Sequence, residues 1–216
     1  MEKEEKIKEV EEVPKKEENT DHNKLLVYIL LFGGIIIITS VLVFYFLNSS
    51  SSFKYRDVQY SVEKVGDITF YRTVFPMYNM MTGQHIADYN ARIRNDPREL
   101  RKIPFTGEFK FRSIVVINSE SNFTCDTNGD RVIAVAEILQ FFEITKAKVI
   151  KDENATCDSE GRYMYINLVN SSKTEVVQTG PVCYELRVNN CEILKSSERF
   201  MVEGFSTLNR MLNSTA

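Results

Sequence analysis

Leu25 to Leu47 reads LLVYILLFGGIIIITSVLVFYFL, twenty-three residues without a charge. As an α-helix, which rises about 1.5 Å per residue, this run reaches about 35 Å. The hydrocarbon core of a bilayer is about 30 Å thick, so the run is long enough to cross it once. No other stretch of the chain approaches that length. Four consecutive isoleucines, Ile35 to Ile38, leave no polar face to meet water, which argues against a core helix of a soluble domain. A cleaved signal peptide has a short basic lead and an apolar core of about 7–15 residues. Here twenty-four largely polar residues come first and the core is longer, so a permanent signal anchor is expected. Tyr28 and Tyr45 near the two ends suit the bilayer interfaces. Gly33 and Ser40 lie seven apart on one helical face, where small residues let helices approach or are simply tolerated in lipid.

Orientation follows from what flanks the run. Lysines and arginines near the ends favour the cytoplasmic side. Six lysines precede the helix, whereas Lys54, Arg56 and Lys64 are the first cations after it. All five Asn-x-Ser/Thr sequons, at Asn48, Asn122, Asn154, Asn170 and Asn213, lie after the run. All four cysteines, Cys125, Cys157, Cys183 and Cys191, lie there too. Sequons mark surface loops of exported domains, and an even set of cysteines suits an oxidising compartment. The expectation is a cytoplasmic N-terminus and an extracellular or lumenal C-terminal domain, in the cell membrane or an endomembrane. The five asparagines are glycosylation candidates.

Four segments result. Residues 1–24 form a charged tail with six Lys against nine Asp plus Glu, too poor in apolar residues to order itself. Residues 25–47 form the transmembrane helix, and 48–52 a Ser-rich linker. Residues 53–216 form an exported globular domain with 21 basic and 21 acidic residues, large enough for one real core. That neutral balance and the exterior location exclude nucleic acid as a partner. The partners expected are membrane lipid around the helix and a protein or glycan outside the cell.

Within the exported domain, Ile68 to Phe75 reads as a β-branched and aromatic strand, and a second strand is expected around Gln84 to Arg94 after a turn at Thr82-Gly83. Asp96-Pro97-Arg98-Glu99 reads as a helix start: Asp caps, Pro fits the first turn, and the acid suits the dipole. Phe109 to Arg112 alternates, and Ile114-Val115-Val116-Ile117 is apolar on both faces, as in a strand buried inside a sheet. A helix follows, with Val132, Val135, Ala136, Leu139 and Phe142 on one face, and then a strand at Lys148-Val149-Ile150. This strand–helix–strand unit predicts parallel pairing. Alternation across Tyr163–Leu168, a strand at Glu175–Thr179, a turn at Gly180-Pro181 and alternation across Val182–Val188 predict an antiparallel meander. A closing helix over about 191–212 carries Leu194, Met201, Phe205, Leu208 and Leu212 as its stripe. The fold class is α/β or α+β: one N-terminal transmembrane helix, then one mixed-sheet domain with a βαβ unit, a meander and a C-terminal helix.

Two segments echo each other. Asn122 to Gly129 and Asn154 to Gly161 share the pattern N-x-T-C-D-[ST]-x-G. Each follows a strand of the expected parallel pair, so Cys125 and Cys157 are expected at one sheet edge and bonded to each other, leaving Cys183 for Cys191. The other two connectivities remain open. Disulfide staples are favoured over redox or metal chemistry. No C-x-x-C pair is present, and gaps of 31, 25 and 7 residues do not match structural zinc.

Catalytic signatures are absent. His85 is the only histidine of the exported domain and sits in a strand-like stretch. There is no G-x-S-x-G, H-E-x-x-H, Walker loop or G-x-G-x-x-G. Asp126, Asn128 and Asp130 resemble the start of an EF-hand loop, but the Gly needed at its sixth position falls fourth, at Gly129, and its twelfth position, Glu137, is already well inside the expected helix; a turn and helix cap is simpler. No metal and no cofactor is expected. Arg92, Arg94, Arg98, Arg101 and Lys102 form a basic patch, either a binding surface or a rim of internal ion pairs. A binding or scaffolding module is the reading. A membrane-tethered thiol oxidoreductase or carboxylate-dependent hydrolase is the alternative.

The stretch Arg94-Asn95-Asp96-Pro97-Arg98-Glu99-Leu100, with Ile103-Pro104 after it and Cys183-Tyr184, Cys191-Glu192 and Glu198-Arg199-Phe200 later, resembles uncharacterised membrane-anchored proteins of archaea. The likeness spans about residues 60–205. It implies a cell-envelope setting and brings no activity with it.

Overall fold

The computed structural model describes residues 20–48, 52–78, 84–118 and 129–214. The chain divides into two compact units, residues 1–49 and 50–216.

The first unit is helix α1, Thr20–Asn48. Its segment Lys24–Phe44 is long and apolar enough to cross a membrane, and none of it is buried against protein. Leu25 to Phe32 and Ile35 to Ile38 are all exposed, so the apolar surface runs right round the helix. The Thr39 hydroxyl donates back to the Ile35 carbonyl at 2.9 Å, which satisfies that hydroxyl without water. The helix begins five residues before the charge-free run.

The second unit is an α/β domain built on two sheets. The first sheet is a four-stranded antiparallel meander in chain order: β1 (Ser52–Tyr55), β2 (Val58–Val65), β3 (Ile68–Tyr78) and β4 (His85–Ile93). The expected strands at 68 and 84 are β3 and β4; β1 and β2 were not read from sequence. Arg56 and Asp57, both at positive φ (49° and 66°), make the tight turn that matches the twist of β1 and β2. Thr82 and Gly83 lie outside the described residues.

Helix α2 (Pro97–Leu100) follows as expected, with the Asp96 carboxylate accepting the Arg98 N–H at 2.8 Å. The second sheet runs β5 (Phe105–Thr106), β9 (Glu175–Gln178), β10 (Cys183–Val188), β8 (Met164–Asn170), β6 (Ile114–Asn118), β7 (Lys148–Lys151). Between β6 and β7 lies α3 (Asp130–Ile144), and the two strands are parallel, so the βαβ unit is present. Phe109 to Arg112 is not a strand, although Phe109 is buried in the core. The last third is not a plain meander. β9 and β10 are antiparallel, but β10 slots between β9 and β8 and pairs with β8 in parallel. Short connections favour sequential pairing, but β10 matches six residues of β8, whereas the four-residue β9 matches only four of β10 and takes the outer place.

Helix α4 (Ile193–Ser214) is the centre of the domain. It packs against β2 of the first sheet and against β9 and β10 of the second, with α3 beside it. Leu194, Met201, Phe205 and Leu208 are buried as expected, and Leu212 packs at the margin. Burial extends far round this helix, to Ser196, Ser197, Glu198 and Arg199. Gly204 permits the contact with α3: a Cβ there would lie 2.3 Å from Cζ of Phe141. Helix α3 buries Ala134, Val135, Ile138, Phe141 and Phe142, whereas Val132 and Ala136 are exposed. The expected face was rotated because α3 is apolar almost all round, and periodicity alone does not choose a side. Phe109, Phe141, Phe142, Phe200, Phe205 and Tyr184 form a continuous aromatic centre with ring centroids 4.9–6.5 Å apart.

The far face of the second sheet carries a second, small cluster: Val116, Tyr165 and Cys183, covered by Ala155 and Tyr163. These three lie in one row across the sheet, since Val116 pairs with Tyr165 and Tyr165 with Cys183. The segment 152–163 connects β7 to β8 and crosses this face without a helix. The disulfide joins Cys157 of that segment to Cys183 of β10, with Cα atoms 5.7 Å apart. The expected Cys125–Cys157 and Cys183–Cys191 bonds are therefore corrected. The crossover carries Cys157 away from the β7 edge and over β8 to β10, where Cys183 points up from the row beneath it. Gly180 leaves room for the bond, as a Cβ there would sit 2.6 Å from the Cys157 sulfur. Cys191 is disulfide-bonded as well, and Cys125 lies outside the described residues.

Candidate functional site

The most unusual chemistry of the domain sits where α3, α4 and the end of β4 meet. Glu198 falls in the apolar stripe of α4, four residues after Leu194 and three before Met201, and is fully buried. A buried carboxylate needs donors, and the turn after β4 supplies them. The Arg94 N–H donates to Oε1 at 2.5 Å; the Asn95 N–H and its side-chain amide donate to Oε2 at 2.9 and 2.7 Å. Burial nevertheless pushes the Glu198 carboxyl up to about 7, against the pull of these donors and of the Arg94 charge.

Glu137 faces the same corner from α3. It too sits in a buried stripe, three after Ala134 and four before Phe141. Burial first, and then the Glu198 carboxylate, push Glu137 up to about 8, with Arg94 opposing. One Glu137 oxygen and the Arg94 Nε are buried without a hydrogen-bond partner. The corner is thus two electrostatically coupled acids sharing one arginine in a low-dielectric setting. Both Glu198 oxygens are already engaged by the backbone turn, so this group holds structure rather than offering a free base.

The neighbouring residue extends the clamp. Arg199, also buried, donates from Nε to the Ile103 carbonyl at 2.9 Å, lies 5.5 Å from the Phe105 ring centroid, and pairs with Glu203 at 2.5 Å. Arg56 of the β1–β2 turn reaches the same Glu203 carboxylate. Glu198 and Arg199 therefore pin residues 94–105 to α4.

The basic patch is not assembled as one surface. Arg92 binds Glu63 at 3.1 Å, beside the Arg72–Glu63 pair. Arg94 turns into the buried corner. Arg98 grips Asp96 at 2.6 Å and stacks on Phe53 at 4.0 Å. Lys102 pairs with Glu99. Arg101 is exposed in the turn after α2. His85 is exposed on β4, 2.7 Å from Asp88.

Of the sequon asparagines, Asn154, Asn170 and Asn213 are exposed, Asn48 is the last residue of α1, and Asn122 lies outside the described residues. Asp130 opens α3 behind Gly129, which occupies the cap at φ 69° with no side-chain hydrogen bond; Asp126 and Asn128 lie outside the described residues. Among the described residues no group of three or more His, Cys, Asp or Glu is placed to hold a metal ion. Among them, too, no cysteine is free.

Sequence reasoning gave Glu137, Glu198 and Arg199 no role in a site. The signal was legible: a carboxylate inside a helical apolar stripe is a buried charge in waiting. Comparison with protein-family models, with curated proteins and with solved structures finds no match.

Proposed function

We propose that this chain is a single-pass membrane protein, N-terminus cytoplasmic, whose disulfide-stapled outer domain binds or scaffolds a protein or glycan partner. The observation that carries the reading is α1: its apolar side chains are exposed on every side, a surface that water does not tolerate and lipid does. The Cys157–Cys183 bond and the exposed sequon asparagines Asn154, Asn170 and Asn213, all C-terminal to α1, support the outward placement of the domain. A binding role is favoured over catalysis by the state of the titratable groups. Cys183 is buried in a bond, and Glu198, one of the two coupled acids, is closed off and fully hydrogen-bonded.

Protease added to intact cells tests the topology, read with antibodies against each end. The outer domain is expected to be lost or nicked while an epitope placed on residues 1–19 survives. Alkaline carbonate is expected to leave the full chain in the membrane pellet. Release into the supernatant, or protection of the C-terminal domain, overturns the reading.

A further inference from the structure

Among the described residues the two sheets end in four edge strands, and three of them are blunted. β1 has four residues and β5 two. β7 has four, with Lys148 and Lys151 at its ends. Short length and lysines are the usual guards against unwanted strand pairing. β4 has neither. It runs nine residues, His85–Ile93, holds no Lys or Pro, and among the described residues no strand lies beyond it. Ile86, Ala87, Asp88, Asn90 and Arg92 are exposed.

Its hydrogen-bonding phase is set by a proline. Pro76 of β3, which has no N–H, sits opposite Asp88. That pair therefore exchanges no ladder bond, and the alternation of an antiparallel pair turns the N–H and C=O groups of Asp88, Asn90 and Arg92 away from β3. The contact of Ser61 Oγ with the Arg72 carbonyl fits this phase, because Arg72 opposes Arg92 and must turn its own carbonyl toward β2.

We propose that β4 pairs with β4 of a second copy of this chain, antiparallel about a two-fold axis through Asn90. In that register Asp88 of each copy lies opposite Arg92 of the other on the outer face, so each Arg92, already paired with Glu63 of its own copy, gains a second carboxylate, on either side of a central pair of Asn90 residues that each accept from their own Arg72. Shifting the axis to Asp88 instead sets two aspartates face to face, so charge selects the Asn90 register. The result is one eight-stranded sheet with the unguarded edges removed from solvent. The pairing goes beyond the anchored-domain reading and holds whether or not α1 sits in a membrane.

The test uses the full chain in detergent micelles, with mass read by light scattering after chromatography. The expected polypeptide mass is twice that of one chain. Asp88→Arg, at an exposed position, places arginine against Arg92 and is expected to weaken the dimer roughly tenfold or more. The charge swap Asp88→Arg with Arg92→Asp is expected to restore it. Asn90→Cys is expected to crosslink to itself, because directly opposed residues of a hydrogen-bonded pair stand about 5.5 Å apart at Cα. A monomer overturns the proposal and leaves the edge to a strand from another protein. A dimer that ignores Asp88→Arg and does not crosslink through Asn90→Cys also overturns it, and moves the contact elsewhere, α1 included.

Discussion

The carboxylate of Glu198 accepts both the backbone N–H and the side-chain amide of Asn95, a residue 103 positions earlier in the chain. This contact ties the central helix to the turn that leaves the first sheet. It places an acid where the helix pattern calls for a leucine, and the cost of that burial is met by three donors from Arg94 and Asn95.

Replacing this acid separates its packing from its hydrogen bonds. Glu198→Ala leaves the N–H groups of Arg94 and Asn95 and the Asn95 amide without an acceptor in a buried site, and is expected to destabilise the domain by roughly 3–5 kcal/mol. Glu198→Gln keeps the shape and one acceptor oxygen, so it is expected to cost less than half as much. Urea unfolding of the outer domain in the full chain measures both.

The two coupled acids give stability an unusual pH dependence. Glu137 and Glu198 are raised from 4.5 to about 8 and about 7 in the folded state. The native state therefore holds these protons more tightly than the unfolded chain. Their contribution is full below pH 4.5 and is lost as pH rises through 7 to 8, by at most about 1.4 kcal/mol per pH unit per group. Glu63, Glu175 and Asp158 are shifted the other way by Arg72, Arg187 and Arg162, Asp158 down to about 2, so their contribution is lost on acidification below about pH 4. Thermal unfolding from pH 4 to 9 is expected to show highest stability near pH 5 and a decline toward pH 8. Glu137→Gln is expected to flatten that decline, and an unchanged slope refutes the assignment.

The crossover disulfide closes a loop of 26 residues between Cys157 and Cys183. Chain entropy assigns such a closure about 3–4 kcal/mol. Cys157→Ala with Cys183→Ala is expected to lose most of this and to expose Tyr165 and Val116 beneath the segment. Peptide mapping without reduction is expected to recover Cys157 joined to Cys183. It is also expected to join the Cys191 peptide to that of Cys125, the one cysteine left.

Gly204 tests the contact between the two long helices. In an isolated helix Gly→Ala gains about 1 kcal/mol. Here the new methyl meets the buried Phe141 ring, which is itself held by Phe109 and Phe205 and has nowhere to move. Gly204→Ala is expected to destabilise by about 1–3 kcal/mol on chemical denaturation. A stabilised variant shows that the ring can yield.

Much of the architecture follows from local pattern. The charge-free run of α1, the two-faced apolar strand at Ile114–Ile117, the Asp96 cap and Pro97 start of α2, and the stripe of α4 each depend on residues within a few positions of one another. They were legible for that reason. β1 escaped because it has only four residues, and β2 because it is half polar, with Gln59, Ser61, Glu63 and Lys64 among its few apolar residues. The buried face of α3 escaped because nearly every side of it is apolar.

Sequence alone settled that this chain carries one membrane-length helix followed by a mixed α/β domain, because hydrophobic length and period are properties of neighbouring residues. Only the tertiary structure decided that β10 enters between β8 and β9, that Cys157 meets Cys183, and that Glu198 is a buried anchor for Asn95. Each of these depends on which distant segments share a sheet or a core, and no local pattern encodes the partner.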